Sequence, residues 1–137
     1  MSFVLDVSLA CAWCFADEAT PESWALLEQL QQSPAVVPAL WLWEVGHVLV
    51  QAERRQRISA AASREFLSLL EMLPIEVEPA AVGTVWHDTL AIACSQQLTA
   101  YDAAYLELAM RRGFALATCD RALISAAEAV GVTLLPT

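Results

Sequence analysis

The chain has no lysine. Its seven basic residues are all arginine and face sixteen acids, for a formal net charge of −9 over 137 residues. A surface that acidic is a poor start for binding nucleic acid through its phosphates. A membrane span is lacking too. The most apolar stretch, VPALWLWEVGHVLV (37–50), is broken by Glu44 and His47 and falls short of the roughly 20 apolar residues a span needs. The opening residues MSFVLDVS have no basic region and carry Asp6 early, so they do not read as a signal peptide. A cytoplasmic protein with no membrane partner is expected. Of the four cysteines only Cys11 and Cys14 form a close pair, which argues against a disulfide framework. No linker, repeat or low-complexity run divides the chain, so one domain is expected over 1–137.

What is present is apolar. Hydrophobic residues make up 58%, where about 45–50% is usual, and five tryptophans are among them. Such an excess points to an interface with a partner or with a second copy.

Short apolar runs alternate with helical patterns. SFVLDV, AVVP (35–38), PIEVEP (74–79) and FALAT (114–118) read as strands. Helical periodicity covers a stretch from Ser8, then Pro21 to Gln32, 40–56, 59–73, 81–97, 100–112 and Arg121 to Ala129, before a closing VTLLP. Strands buried on both faces and alternating with helices indicate an α/β fold with a parallel sheet.

In such sheets ligands bind beyond the carboxyl ends of the strands, where the strand order reverses. Asp6 ends the first strand and Asp120 follows the fourth. Glu44 sits in a helix that is apolar almost all round, where an unpaired acid is expensive. Asp102 opens another apolar helix. Each acid also has a local reading. Asp120 suits an N-cap, Thr99 and Asp102 form a capping-box pattern, and Asp6 beside Ser8 fits turn chemistry. Gathered together, four carboxylates would repel one another unless a cation sat among them. Mg²⁺ or Mn²⁺ suits an all-oxygen donor set, and water activated by the metal suits phosphoryl chemistry.

The motifs VLDVS, EVGHVL, LTAYDAAYLELA and TCDRAL, in this order and spacing, resemble those of PIN-domain ribonucleases, specifically VapC-type toxins of toxin–antitoxin pairs. The resemblance spans essentially the whole chain. It implies a single PIN-like domain with a parallel sheet of order 3-2-1-4-5, flanked by helices. It implies a metal-binding catalytic quartet of Asp6, Glu44, Asp102 and Asp120, with Ser8 and Thr118 supporting. It further implies RNA cleavage leaving 5′-phosphate and 3′-hydroxyl ends, a homodimer and a cognate VapB-like antitoxin. Two departures stand out: His47 occupies a position where the family often has Asn, and Arg121, Ala122 and Leu123 follow Asp120 where many members carry another acid.

Arg54, Arg55, Arg57 and Arg121 are candidates for guiding RNA, with Arg111 and Arg112 as helpers, although arginines at a helix carboxyl end also suit its dipole. An antitoxin matched to the acidic pocket would lay an amphipathic segment beside Trp41 and Trp43 and insert a cation among the acids. Competing readings are a thiol oxidoreductase built on Cys11 and Cys14, a non-catalytic PIN-like binding module, and a Glu44–His47 half-site of di-iron type. The last needs a second copy of the motif, and none is present.

Overall fold

Four apolar runs form one parallel sheet in a computed structural model that describes residues 1–137. These are β1 (Phe3–Leu5), β2 (Ala35–Pro38), β3 (Ile75–Glu78) and β4 (Ala115–Ala117), in the order β3-β2-β1-β4. Every residue of β1 and β2 is buried, which is why these strands are continuously apolar. β3 is the edge strand and exposes Glu76 and Val77. The α/β class and parallel sheet agree with expectation.

The expected fifth strand is reduced to one bridge, Leu134 beside Leu116. Leu116 N–H donates to the Thr133 carbonyl at 2.8 Å, and Leu135 N–H to the Leu116 carbonyl at 2.9 Å. Pro136 follows and has no N–H with which to extend the ladder. The sheet therefore has four strands, not five, with the closing segment touching the β4 edge.

Seven α-helices cover the sheet: α1 (Val7–Ala12), α2 (Pro21–Gln29), α3 (Leu40–Arg54), α4 (Ala60–Met72), α5 (Leu90–Gln96), α6 (Ala100–Arg112) and α7 (Arg121–Val130). Their starts are local chemistry. Thr20 and Ser23 cap α2 reciprocally, the Ser59 hydroxyl accepts from Ala62 N–H, and the Thr99 hydroxyl accepts from Asp102 N–H. The helix expected over 81–97 is split, because Thr84–Thr89 is a π-helical turn running into α5. Over six residues a 3.6-residue period does not distinguish the wider turn from an α-helix.

α6 is the central helix. Tyr105, Leu106 and Leu108 are buried on it, and it packs on β1, β2 and β4. Arg111 and Arg112 at its carboxyl end pair with Glu78 of β3, at 3.3 and 2.7 Å, and Arg111 pairs with Glu107 at 2.8 Å. These arginines brace the edge strand.

Gly113 ends α6 at φ +66, and a Cβ there would meet no atom within 4 Å. Gly113→Ala should therefore destabilise through backbone strain alone, by about 1–2 kcal/mol, which urea unfolding will measure. A neutral result would show that the helix end relaxes freely.

Candidate active site

The strand order brings β1 beside β4 in parallel register, Leu5 opposite Ala117. The residues just beyond both strands therefore meet at the carboxyl edge of the sheet. Asp6 is 3% exposed and its backbone N–H donates to the Ala117 carbonyl at 3.0 Å. It stands at the N-cap of α1, yet its side chain caps nothing. Instead its Oδ2 accepts from two hydroxyls, Ser8 Oγ and Thr118 Oγ1, both at 2.7 Å. Ser8 Oγ in turn accepts from Cys119 N–H at 3.0 Å, and Thr118 Oγ1 from Asp120 N–H at 3.0 Å. The two hydroxyls thus tie β1, α1 and the loop after β4 into one polar knot.

Asp120 does cap α7, its Oδ1 accepting from Leu123 N–H at 3.0 Å. Capping occupies only one of its two carboxylate oxygens. Asp102 lies in the first turn of α6. Glu44, half-buried on α3, accepts the Tyr105 hydroxyl on Oε1. Tyr105 is fully buried. It is the residue that the sequence reading left without a role, although it sits inside the YDAAY motif. A phenol three residues after a helical aspartate, on the same face, was the available signal.

Electrostatics separate these acids from the rest of the surface. Burial pushes the Asp6 carboxyl up, against the lowering pull of Ser8 and Thr118, and the Asp120 charge adds to the rise. Burial likewise raises Glu44, where Tyr105 pulls down while Asp6 and Asp102 push up. Asp102 is raised by burial, then by Asp120 and Asp6, with Thr99 opposing. The quartet is therefore mutually coupled, and none of the ion pairs in the molecule involves any of its members.

Four carboxylates are an oxygen donor set of the kind a hard divalent cation takes in preference to a thiol such as the nearby Cys119. Yet no three His, Cys, Asp or Glu side chains are close enough together to ligate one ion.

The other candidates fall elsewhere. His47 is exposed. Arg54, Arg55 and Arg121 are exposed and outside the ion pairs. Arg57 is held by Asp17 at 2.6 Å and Glu18 at 2.8 Å, and lies 4.0 Å over the Phe15 ring. Cys11 is buried inside α1, and burial together with Glu18 and other neighbouring charges pushes its thiol up to about 12. A thiol so disfavoured as thiolate is a poor redox nucleophile. Trp41 is buried at 4% exposure while Trp43 is 73% exposed.

The family model of the PIN domain matches residues 3–129. The chain belongs to the PIN-domain family. PIN domains are nucleases and generally use divalent metals. Among solved structures, this PIN domain is similar to a protein from Pyrobaculum aerophilum, with 22% identity and a TM-score of 0.72 over 92% of this chain and 84% of that one. It is also similar to VapBC2 from Rickettsia felis bound to a DNA fragment from their promoter, with 11% identity and a TM-score of 0.69 over 98% and 97%. FitAcB from Neisseria gonorrhoeae follows with 15% identity and a TM-score of 0.64 over 99% and 97%. At these identities the likeness is one of fold. No curated protein matches the chain in sequence.

Two outcomes follow from the geometry. Tyr105→Phe removes the donor that favours ionised Glu44, and should weaken divalent-metal binding by about 10–100-fold in a calorimetric titration, with the fold retained. Because the folded Asp6 carboxyl is raised, its ionisation is a penalty that grows as pH climbs from the ordinary carboxylate value of 3.8 through the raised one. In chelator at neutral pH, Asp6→Asn should therefore melt at or above wild type, and the gap should close on acidification. A gap that widened instead would contradict the sign.

Proposed function

We propose that this PIN domain is a metal-dependent endoribonuclease, the toxin of a VapC-type toxin–antitoxin pair. The observation that carries the reading is the buried Asp6 carboxylate, clamped by Ser8 and Thr118 at the β1–β4 edge and coupled to three further acids with no arginine among them. A structural acid so placed would be expected to have a cation partner.

Asp6, Asp102 and Asp120, with Glu44, would hold Mg²⁺ or Mn²⁺. Bound there, the ion would supply Lewis-acid polarisation of the phosphate and a water of lowered pKa. The chain's own residues do the positioning. Ser8 and Thr118 fix one oxygen of Asp6 and leave the other without a side-chain donor. Tyr105 occupies Glu44 Oε1, so Oε2 is available, and its raised affinity for protons suits it to take one from the attacking water. Family resemblance implies 5′-phosphate and 3′-hydroxyl products.

The fold is shared with VapBC2 and FitAcB, and exposed Leu42 and Trp43 stand on α3 beside Glu44. A cavity of about 290 Å³ lined by Trp41, Leu42, Val45, Leu67 and Leu70 opens between α3 and α4. An antitoxin segment with an apolar face and an inserted cation would match both features, and a homodimer remains part of the reading.

Asp6→Asn and Asp120→Asn should each lower metal-dependent RNA cleavage by more than about 100-fold, beyond the usual effect of groups that only orient a ligand. Circular dichroism should report an unchanged fold. Wild-type rates in either variant would sink the metal-site reading.

A further inference from the structure

An acidic nuclease must still hold RNA. Three of its seven arginines, Arg57, Arg111 and Arg112, have their charge neutralised in ion pairs and do not stand free for phosphates. That leaves Arg54, Arg55, Arg64 and Arg121 against a net charge of −9. Phosphate contacts supply essentially all non-specific affinity for nucleic acid, and here they are scarce. Contacts to unpaired bases carry no such charge requirement, because bases stack on aromatic rings and hydrogen-bond through their edges.

A cavity of about 380 Å³ opens at the carboxyl ends of β2 and β3, on the same edge of the sheet as the acids. Pro38, Leu40, Val85, Ala104 and Leu108 make apolar walls, and its volume is in the range of small-ligand pockets, about 300–1,000 Å³. Its polar lining is concentrated in Glu78, Glu107 and Arg111, joined by the Arg111–Glu107 pair at 2.8 Å and the Arg111–Glu78 pair at 3.3 Å. Glu107 is only 6% exposed. Tyr101 also lines the cavity and is 65% exposed. It directly precedes Asp102 on α6, and Leu40 lies one helical turn before Glu44 on α3. Part of the wall is the π-helical turn Thr84–Thr89, a form that recurs at functional sites. Another cavity, of about 480 Å³ and lined by Phe3, Phe114 and Ala115, lies at the opposite edge, away from the acids.

We propose that this cavity beside the acids receives an unpaired guanine of the RNA substrate, with Tyr101 stacking on a base at its mouth. The inference rests on the endoribonuclease reading. Guanine matches the polar end on both counts. Its ring and exocyclic N–H groups can donate to the lone pairs of the Glu78 and Glu107 carboxylates that the arginines leave unused, and its O6 can accept from a terminal Arg111 N–H not spent on the ion pairs. RNA would thus be recognised by a base in a pocket, with little help from phosphate attraction.

The test uses the full chain, a labelled oligoadenylate carrying one guanosine, and the same oligomer with that guanosine made abasic. Binding is measured in chelator and cleavage in Mg²⁺. Tyr101→Ala, and Ala104→Leu filling the cavity, should each weaken binding on the order of tenfold, while Tyr101→Phe should bind like wild type. Removing the guanine should weaken wild type similarly and add little to Ala104→Leu. If Tyr101→Ala and Ala104→Leu bind and cleave as wild type while Asp6→Asn does not cleave, the cavity proposal is overturned and the nuclease reading stands. If the two variants leave RNA binding intact but change the sedimentation of the protein, the cavity is an interface between copies and the proposal is likewise overturned. If wild type neither binds nor cleaves RNA, both fall.

Discussion

A buried carboxylate held by two hydroxyls and paired with no arginine is the constraint on which the rest of the site depends. Asp6 lies at the end of a strand whose every residue is buried, so its charge has lost most of its hydration. Two hydroxyls compensate in part, and the net effect of burial is still to favour the protonated form. Those hydroxyls come from α1 and from the loop after β4. The same interaction that tempers the charge therefore also closes the β1–β4 edge. Loss of either hydroxyl would loosen the fold and the site together, because one polar knot serves both.

α6 shows the same sharing between stability and chemistry. Its buried stripe packs on three strands, its first turn presents Asp102, and its Tyr105 reaches Glu44 on α3. At its other end Arg111 and Arg112 grip the edge strand through Glu78. A single helix thus sets the spacing between the acids and the position of β3, and the cavity beside the acids is bounded by both. Rigid elements hold such constellations more accurately than loops do.

The distribution of charge separates two kinds of acid. Asp17, Glu18, Glu78 and Glu107 have arginine partners. The quartet of Asp6, Glu44, Asp102 and Asp120 has none, and burial raises the proton affinity of three of its members. That contrast sets the quartet apart from the acids that only hold the fold together. Exposed Trp43, Trp86 and Met72 add apolar surface for association outside the acids.

Much of this was legible in the residues themselves. The apolar runs AVVP and FALAT marked buried strands, Thr99 and Asp120 marked helix starts, and Glu44 stood out because an acid in an apolar helix demands a partner. These are signals that near neighbours carry, since local period and side-chain chemistry are set within one or two turns. The shortened fifth strand, the π-helical turn, the Tyr105–Glu44 bond across 61 residues and the Arg57–Asp17 pair across 40 were not legible in that way. Nor was the division of Trp41 into the core and Trp43 into solvent. Sequence alone determined which groups could do chemistry and which segments had to be buried. Only the tertiary structure decided which groups meet, because the strand order that places β1 between β2 and β4 comes from packing the whole apolar surface at once.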